Sequence, residues 1–289
     1  MKLSVTTGFS HHTPPDYIAG AAQFLESLEF HALWVPEHVL FFPDYASRYP
    51  YSDDGRIPGE PEGVLDPFSA LTFVAAHTTR LRLGTGICLV PQRQPVYTAR
   101  MVADLDYLSG GRVDFGVGIG WLREEFEALQ MSYADRAANT REYLAAMRAL
   151  WAPGESEFSG ETVTIQRCHF NPKPVQQGAR FGGPPVYFGG ESPAALRRVA
   201  EIGDGWYGFN LTPELAAEKL KALDAALTAA GRDRSDVAIA VGAGRVTPSP
   251  ETAQAFADLG VDQLIVPVGA PTLEKLKPRA ERVREMLQA

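Results

Sequence analysis

The sequence predicts a single-domain α/β fold, a closed (β/α)₈ barrel of the TIM-barrel type that spans residues 1–289. Two observations predict it. Short strand-like runs alternate with amphipathic helical runs in eight consecutive units, which is the pattern of parallel strands joined by crossover helices. In addition, no repeat, linker or low-complexity tract divides the chain. An open doubly wound sheet is the alternative, but it usually needs fewer strands, so a closed barrel is favoured.

The first four units occupy the N-terminal half of the chain. Asp66 and Pro67 suit the N-cap and the first position of a helix, and Gly110 with Gly111 ends the next helix. The predicted strands are Leu3–Phe9, Ala32–His38, Leu81–Val90 and Arg112–Gly120, and the predicted helices are 16–30, 66–78, 94–109 and 134–151.

The last four units occupy the C-terminal part of the chain. Ser192 followed by Pro193 begins one helix, and Pro278 is expected to bend the final helix. The predicted strands are 184–190, 204–209, 236–244 and 261–269, and the predicted helices are 192–203, 212–231, 249–260 and 272–288.

Two insertions interrupt the alternation. Residues 39–65, which we call the lid, follow the second strand and contain the aromatic residues Phe41, Phe42, Tyr45, Tyr49 and Tyr51. Long loops are usually functional or disordered, and this many aromatic residues argue against disorder. Residues 153–183 precede the fifth strand, and the segment 161–172 within them predicts a small hairpin.

The composition limits the classes of function. The formal net charge of −8 argues against general nucleic-acid binding, although it leaves room for a local basic site. No stretch approaches about 20 apolar residues and no basic region precedes an apolar run, so we expect neither a membrane span nor a signal peptide, and a cytoplasmic protein. Cys88 and Cys168 are too few and too far apart to predict a disulfide framework or a zinc motif.

In a barrel the active site lies at the C-terminal ends of the strands, and these ends exclude some chemistries. No lysine ends a strand, which argues against a Schiff-base aldolase. A metal hydrolase needs His, Asp and Glu on several strands, but only Glu37 and His38 stand clearly at a strand end. The adjacent His11 and His12 cannot both point inward from one extended strand, so we expect no metal.

Glycines and aromatic residues dominate the strand ends instead. Glycine lets the backbone approach a flat or charged ligand closely, and Trp121 together with the lid predicts a pocket for a large planar cofactor. The alternative is that tight turns at the barrel rim require glycine in any case. His38 is a candidate for catalysis because it lies beside Glu37 under the lid, whereas the alternative is a hydrogen-bonded structural histidine.

The stretch YFGGESPAALRR, residues 187–198, predicts an anion site. Ser192 suits the N-cap of the helix, whose free N–H groups then lie next to the two glycines. Arg197 and Arg198 follow about one turn later, where one of them can lean toward the ligand. The alternative is an ordinary, well-capped helix.

Three motifs resemble the luciferase-like flavin and deazaflavin oxidoreductases, which share a (β/α)₈ barrel. They are LESLEFHALWVPEH, TTRLRLGTGICLVPQRQPVYTARMVADLDYLSGGRVDFGVGIGWLREEFEAL and PVYFGGESPAALRRVAEIGDGWYG, and they cover most of residues 1–210. Within that family the chain is similar to the shorter members that use coenzyme F420, an 8-hydroxy-5-deazaflavin. The resemblance implies a hydride carrier, because carbon replaces nitrogen at ring position five and an oxygen adduct does not form easily.

The resemblance also implies where the cofactor lies. Family members hold the ring beside a non-proline cis peptide and hold the phosphate at the turn after the fifth strand. The corresponding residues are Gly86–Ile87 for the cis peptide and Gly189, Gly190, Glu191 and Ser192 for the phosphate turn, with Thr7, His38, Thr85 and Gly120 as further cofactor contacts. Glu191 is discordant, because a carboxylate beside the phosphate weakens anion binding unless it turns outward.

The catalytic candidates are His38, Glu37 and Trp121. His38 matches a position that approaches the ring, and we expect it to polarise or protonate the substrate or a ring oxygen. Trp121 replaces an acidic residue that some relatives use as a proton donor. The candidates for binding the acidic tail of the coenzyme are Arg93, Arg100 and Arg123.

The function we expect is hydride transfer between coenzyme F420 and a small organic substrate. One alternative is an FMN-dependent monooxygenase, because both cofactors place a phosphate at the same turn. A second alternative is a non-catalytic flavin-binding barrel. Relatives often pair, so the resemblance also implies a homodimer.

Overall fold

The strands of the computed structural model close into one parallel barrel, and its described residues are 1–59, 61–244 and 246–286. The strands are β1 (Lys2–Thr6), β2 (Ala32–Val35), β3 (Arg82–Thr85), β4 (Cys88–Leu89), β5 (Val113–Gly118), β6 (Ser156–Ser159), β7 (Thr164–Cys168), β8 (Val186–Gly189), β9 (Gly205–Gly208), β10 (Ala238–Gly242) and β11 (Gln263–Pro267). The barrel order is β3-β2-β1-β11-β10-β9-β8-β5-β4, and pairing of β3 with β5 closes the ring. The predicted closed barrel is confirmed.

Helices follow the barrel strands as predicted. They are α1 (Pro15–Ser27), α2 (Pro67–His77), α3 (Pro95–Ser109), α4 (Arg123–Ala128), α5 (Arg136–Trp151), α6 (Pro193–Ile202), α7 (Pro213–Ala229), α8 (Pro250–Asp258) and α9 (Leu273–Met286). The short α4 is the one α-helix of the described residues that the sequence analysis did not predict. Pro278 lies inside α9, and the predicted end of that helix at residues 287 and 288 lies outside the described residues.

The predicted helix ends are present. The Asp66 carboxylate accepts the backbone N–H of Ser69 at 2.9 Å, and Gly110 ends α3 in the left-handed conformation. No described helix is both long enough and apolar enough to cross a membrane.

The strands end earlier than predicted. The second strand stops at Val35 instead of His38, since Pro36 has no N–H to donate to a neighbouring strand. The first strand stops at Thr6 instead of Phe9. As a result, Glu37 and His38 lie in the loop above the sheet, where side chains can turn over the mouth of the barrel.

The second insertion forms a hairpin that begins earlier than predicted. Its antiparallel strands are β6 and β7, so the first strand precedes the segment 161–172. By contrast, the lid contains no helix or strand among its described residues.

Large aromatic side chains fill the barrel interior. Trp34, Tyr187 and Tyr207 pack together, and the Trp34 indole donates to Gln263 Oε1 at 2.6 Å. These rings fill the interior at this level, and a cavity opens above them at the C-terminal ends of the strands.

Several large apolar side chains are exposed on α2 and α3. They are Phe73, Tyr97, Met101 and Leu108. Exposed apolar surface of this kind is compatible with association, and the homodimer stays a prediction.

Candidate active site

A cavity of about 780 Å³ lies between the C-terminal ends of the strands and the lid. Most of the residues predicted to contact a cofactor or to act in catalysis line it. These are Thr7, Glu37, His38, Gly86, Ile87, Gly120, Trp121, Gly189, Gly190, Glu191 and Ser192. The sequence therefore located the cavity, and the roles of its residues follow from their contacts.

Thr85 is the predicted contact that does not line the cavity. It is fully buried, and its hydroxyl donates to the backbone oxygen of Gly116 at 2.6 Å. The Thr85 side chain is committed to joining two strands and has no free group for a cofactor.

The base of the cavity is shaped by Ile87. The Gly86–Ile87 peptide is cis, as the resemblance implied. A Cβ at Gly118 would lie 2.2 Å from Ile87 Cδ1, and a Cβ at Gly189 would lie 2.6 Å from the same atom. The Ile87 side chain therefore occupies the space beside these two glycines, and a larger residue at either position would require that side chain to move.

Glu37, a predicted catalytic residue, is committed to structure. Its Oε2 accepts the backbone N–H of Leu89 at 2.6 Å, and its Oε1 accepts the Arg93 guanidinium at 2.5 Å. Arg93 also pairs with Asp66 at the start of α2 at 2.5 Å. Both oxygens of Glu37 are occupied, and Arg93 is equally unavailable for the acidic tail of a coenzyme.

The other two arginines proposed for that tail also have local partners. Arg100 donates to the backbone oxygen of Asn171 and lies 4.3 Å from the centre of the Phe170 ring. Arg123 lies 4.4 Å from the centre of the Tyr133 ring.

His38 is held by Glu125, a residue that the sequence analysis missed. His38 Nδ1 lies 3.0 Å from Glu125 Oε2. Because the carboxylate can only accept, Nδ1 carries the proton and Nε2 is the nitrogen left for a ligand.

Glu125 is fully buried and accepts three further hydrogen bonds. They come from the backbone N–H groups of Val39 and Leu40, at 2.6 and 3.1 Å, and from Gln92 Nε2 at 3.0 Å. Burial alone would raise the pKa of Glu125, but the bonds from His38, Leu40 and Gln92 hold that pKa below its usual value. The carboxylate thus fixes both the imidazole and the start of the lid.

Trp121 stands where the resemblance implied an acid in some relatives. Its ring packs edge-on against His38 at 5.9 Å and against Tyr49 of the lid at 5.3 Å. Tyr45 approaches it at 5.7 Å. Trp121 therefore contributes apolar surface and cannot supply a carboxyl proton.

Residues 189–192, which we call the phosphate turn, have the expected geometry. Gly190 has φ +104°, and the Ser192 hydroxyl accepts the N–H of Ala195 at 3.2 Å. Arg198, one of the two candidate arginines, lines the cavity and is 5% exposed, whereas Arg197 faces solvent.

Arg198 is a buried cation that pairs directly with no described carboxylate, although Glu201 acts on it from a distance. Its Nε has no hydrogen-bond partner among the described residues. Burial lowers the pKa of Arg198, and the like charges of Arg141, Arg136 and Arg197 lower it further. A buried guanidinium in this setting gains most from an anionic ligand.

Glu191 turns toward the end of β9 and the lid. Its Oε1 accepts the backbone N–H of Phe209 at 2.8 Å, and its carboxylate also bonds to the Tyr51 hydroxyl. Burial raises the pKa of Glu191, although the bonds from Phe209 and Tyr51 oppose that shift. The discordant carboxylate is thus held by two uncharged donors.

His11, His12 and Glu62 meet on the outer rim of the barrel. Each histidine Nε2 lies 3.8 Å from Glu62 Oε2, and all three side chains are largely exposed. They lie outside the cavity lining.

Comparison with known proteins finds relatives in sequence and in fold. An uncharacterised protein of Mycobacterium tuberculosis is 33% identical over 249 residues, which is 86% of this chain and 85% of the relative. An F420-dependent secondary alcohol dehydrogenase, solved with an F420–acetone adduct, has the same fold with a TM-score of 0.76 at 16% identity, covering 99% and 98% of the two chains. The monooxygenase RslO1 from Streptomyces bottropensis has a TM-score of 0.74 at 21% identity, covering 100% and 99%.

The fold neighbours thus include both deazaflavin and monooxygenase enzymes. The family model described as luciferase-like monooxygenase matches residues 1–287. The resemblance that the three motifs indicated is confirmed, and the chain belongs to the luciferase-like family.

Proposed function

We propose that the protein is a coenzyme F420-dependent oxidoreductase that moves hydride between the deazaflavin and a small organic substrate. Membership of the luciferase-like family supports an oxidoreductase or a monooxygenase with a flavin-type cofactor. The preference for F420 over FMN rests on the arginines around the phosphate turn.

The observation that carries the proposal is the buried Arg198 beside that turn, whose Nε has no hydrogen-bond partner among the described residues. Arg136, Arg141 and Arg197 lie near enough to depress its pKa, although the chain as a whole is acidic. FMN ends at its phosphate, whereas F420 continues into an acidic tail. A group of cations that extends beyond the phosphate site therefore suits F420 better.

The tail would meet arginines other than the three that the sequence suggested. Arg136 lies 3.9 Å from the centre of the Tyr133 ring, the same ring that Arg123 approaches. Arg141 pairs with Glu201 at 2.5 Å on the exposed surface, where such a pair is weak and exchangeable. Arg197 is exposed and free to bend toward an anion.

The described residues fit such a cofactor at two places. Gly118 and Gly189 leave room for the Ile87 side chain at the base of the cavity, and a flat ring would lie against Ile87. Gly190, the Ser192 cap and Arg198 provide backbone N–H groups and a cation for a phosphate.

When bound, the cofactor supplies a ring carbon that carries hydride. His38, with Nδ1 fixed by Glu125, presents Nε2 to hold or transfer a proton at a substrate oxygen. The aromatic residues of the lid, including Tyr49 and Tyr51, cover the cavity and exclude water. The protein thus contributes position, a proton relay and a dry site.

Titration with F420 and with FMN, followed by fluorescence, tests the proposal. We expect F420 to bind at least tenfold more tightly than FMN, and reduced F420 to be consumed when an unsaturated or carbonyl substrate is added. Micromolar or better binding of FMN alone would contradict it and favour the monooxygenase. Tight F420 binding without turnover on any acceptor would favour the non-catalytic barrel.

A further inference from the structure

We propose that the cavity binds the phosphate of its cofactor together with one proton, and that Glu191 takes up this proton. The inference rests on the proposed function, because it assumes that a phosphate occupies the phosphate turn. In this proposal the Glu191 carboxylate takes part in binding, because it becomes neutral when the phosphate binds.

The position of Glu191 makes the two anions neighbours. Glu191 lies between Gly190 and Ser192, and adjacent Cα atoms are about 3.8 Å apart. Its side chain lines the same cavity as the turn and as Arg198. A phosphate bound by these groups and the Glu191 carboxylate must therefore share one poorly hydrated space.

The groups that face Glu191 do not neutralise it. The Phe209 N–H and the Tyr51 hydroxyl are uncharged donors. Tyr49 of the lid and Tyr207 of β9 also lie near it, and burial keeps both phenols protonated by raising their pKa values. Lys219 on α7 acts from a distance and donates to Glu218 at 2.8 Å.

Among residues 1–59, 61–244 and 246–286, no lysine or arginine nitrogen lies within ion-pair distance of the Glu191 carboxylate. Burial, with no described cation at that distance, already raises the pKa of the carboxyl and disposes it to hold a proton. The phosphate monoester of FMN carries about 1.5 to 2 negative charges near neutral pH, and a phosphate that continues into a tail, as in F420, carries about one. Its arrival must favour the neutral carboxyl further, because like charges in one site disfavour each other.

Uptake of a proton by Glu191 makes the affinity for the phosphate fall as pH rises. Below the pKa of Glu191 in the free protein, which lies above the ordinary 4.5, the carboxyl is neutral before and after binding, so its protonation has no effect. Between that pKa and the higher pKa in the complex, binding takes up a proton and weakens as pH rises, by up to about tenfold per pH unit. Above the second pKa the dependence ends.

The test is the affinity for FMN and for F420 between about pH 5 and about pH 8, in the wild type and in Glu191→Gln. Gln keeps an acceptor for Phe209 and is permanently neutral. We expect Kd of the wild type, divided by Kd of the variant, to rise about tenfold or more across this range. The phosphate's own ionisation affects both proteins alike and cancels in the ratio.

Three controls isolate the effect. Riboflavin, which lacks the phosphate, should show no pH-dependent difference between the wild type and Glu191→Gln. Glu218→Gln, an exposed carboxylate on α7, should behave as the wild type. The Kd of Glu191→Ala should depend on pH as little as the Kd of Glu191→Gln. Agreement between the two variants shows that the result does not depend on the amide group.

Calorimetry in buffers of different ionisation enthalpy counts the protons directly. We expect the wild type to take up close to one proton more than Glu191→Gln when FMN or F420 binds. Equal uptake and equal pH slopes in the two proteins would overturn this inference alone. Failure of both cofactors to bind at any pH would overturn the proposed function, and this inference with it.

Discussion

The two ends of the cavity differ in whether their buried charged side chains have charged partners. At the His38 end, Glu37 pairs with Arg93, and Glu125 pairs with His38. At the phosphate end, Arg198 Nε has no described partner, and Glu191 is held by uncharged donors. The two ends are built from the same residue types, so the difference lies in how those residues are arranged.

This difference distinguishes charges that belong to the fold from charges that await a ligand. A buried charge that is paired and hydrogen-bonded can be tolerated. The desolvation of an unpaired buried charge, by contrast, destabilises the folded protein by roughly several kcal/mol. A protein that keeps an unpaired arginine in a cavity therefore gains from an anion that binds there. The predictions below test each end, beginning with the largest expected effect.

Glu125→Ala should lower the free energy of unfolding by about 3 kcal/mol or more, because it leaves three donors and the His38 imidazole without their acceptor. Urea unfolding of the ligand-free protein measures this loss. Glu125→Gln, which keeps one acceptor oxygen, should lose less, and the exposed Glu127→Gln should lose almost nothing. A loss below about 1 kcal/mol for Glu125→Ala would show that the His38 end is not held by this carboxylate.

His38→Ala should lower kcat about a hundredfold or more while changing the Kd of the cofactor by less than about threefold. The reason is that the imidazole is placed to act on the substrate and not on the phosphate. Steady-state kinetics with reduced F420 and a fluorescence titration give the two numbers. His169→Ala, an exposed histidine in the hairpin, serves as the control. Unchanged turnover would remove His38 from the mechanism.

Arg198→Met should leave the ligand-free protein as stable as the wild type, or more stable by about 1 kcal/mol, because it removes an unpaired buried charge and keeps the packing. Arg93→Met is the matched variant at the other end. It should be strongly destabilising, because it leaves the carboxylates of Glu37 and Asp66 without their cation. Thermal unfolding of the three ligand-free proteins checks this contrast. Equal destabilisation by both substitutions would remove the distinction between the two ends.

Substitution of Glu124, whose carboxylate binds the lid residues Ala46 and Ser47, should have the smallest effect. Burial would raise its pKa, but the Ser47 hydroxyl and the N–H groups of Ala46 and Ser47 lower that pKa from 4.5 to about 2. The folded-state pKa is depressed, so this anchoring is present above pH 4.5 and is lost as pH falls toward 2.

Glu124→Gln should therefore increase proteolytic cleavage within the lid about threefold at pH 6, and acidification should bring the wild type toward the variant. Cleavage rates at the lid aromatic residues, followed by mass spectrometry, measure the effect. If the variant and the wild type are cleaved equally at pH 6, Glu124 does not hold the lid.

Local rules predicted much of the fold because they depend on neighbours in sequence. The caps at Asp66 and Ser192 need only a side chain and an N–H three residues later, and both are present. The ends of the strands were placed too late, since the point at which a chain leaves the sheet depends on its partner strands. For the same reason the first hairpin strand, Ser156–Ser159, was missed.

Position along a strand led to most residues that line the cavity, whereas the helix faces that would single out Arg198 and reveal Glu125 were not used, and the functional roles of all these residues stay predictions. Arg198 lies three residues after the buried Ala195 and four before Ile202, which marks it as the inward arginine of the pair. Glu125 lies three residues after Leu122 and four before Leu129, so it occupies the apolar face of α4. A charged residue at such a position is a signal that the sequence contains.

The partners of Glu37 could not be predicted, because they come from distant segments. Leu89 and Arg93 lie more than 50 residues away in the chain and reach Glu37 only when β2 and β3 pair, with separations of 52 and 56 residues. The direction of the Glu191 side chain depends in the same way on Phe209 and on the lid.

The most direct test of the account compares FMN with riboflavin in the wild type and in Arg198→Met. The two ligands share the ring and differ in the phosphate, so their affinity ratio isolates the phosphate end. We predict that the wild type binds FMN about 10- to 100-fold more tightly than riboflavin, and that Arg198→Met, unlike Arg197→Ala, reduces this ratio to about threefold or less. An undiminished preference for FMN in Arg198→Met would contradict the claim that this buried arginine is kept for the phosphate of a cofactor.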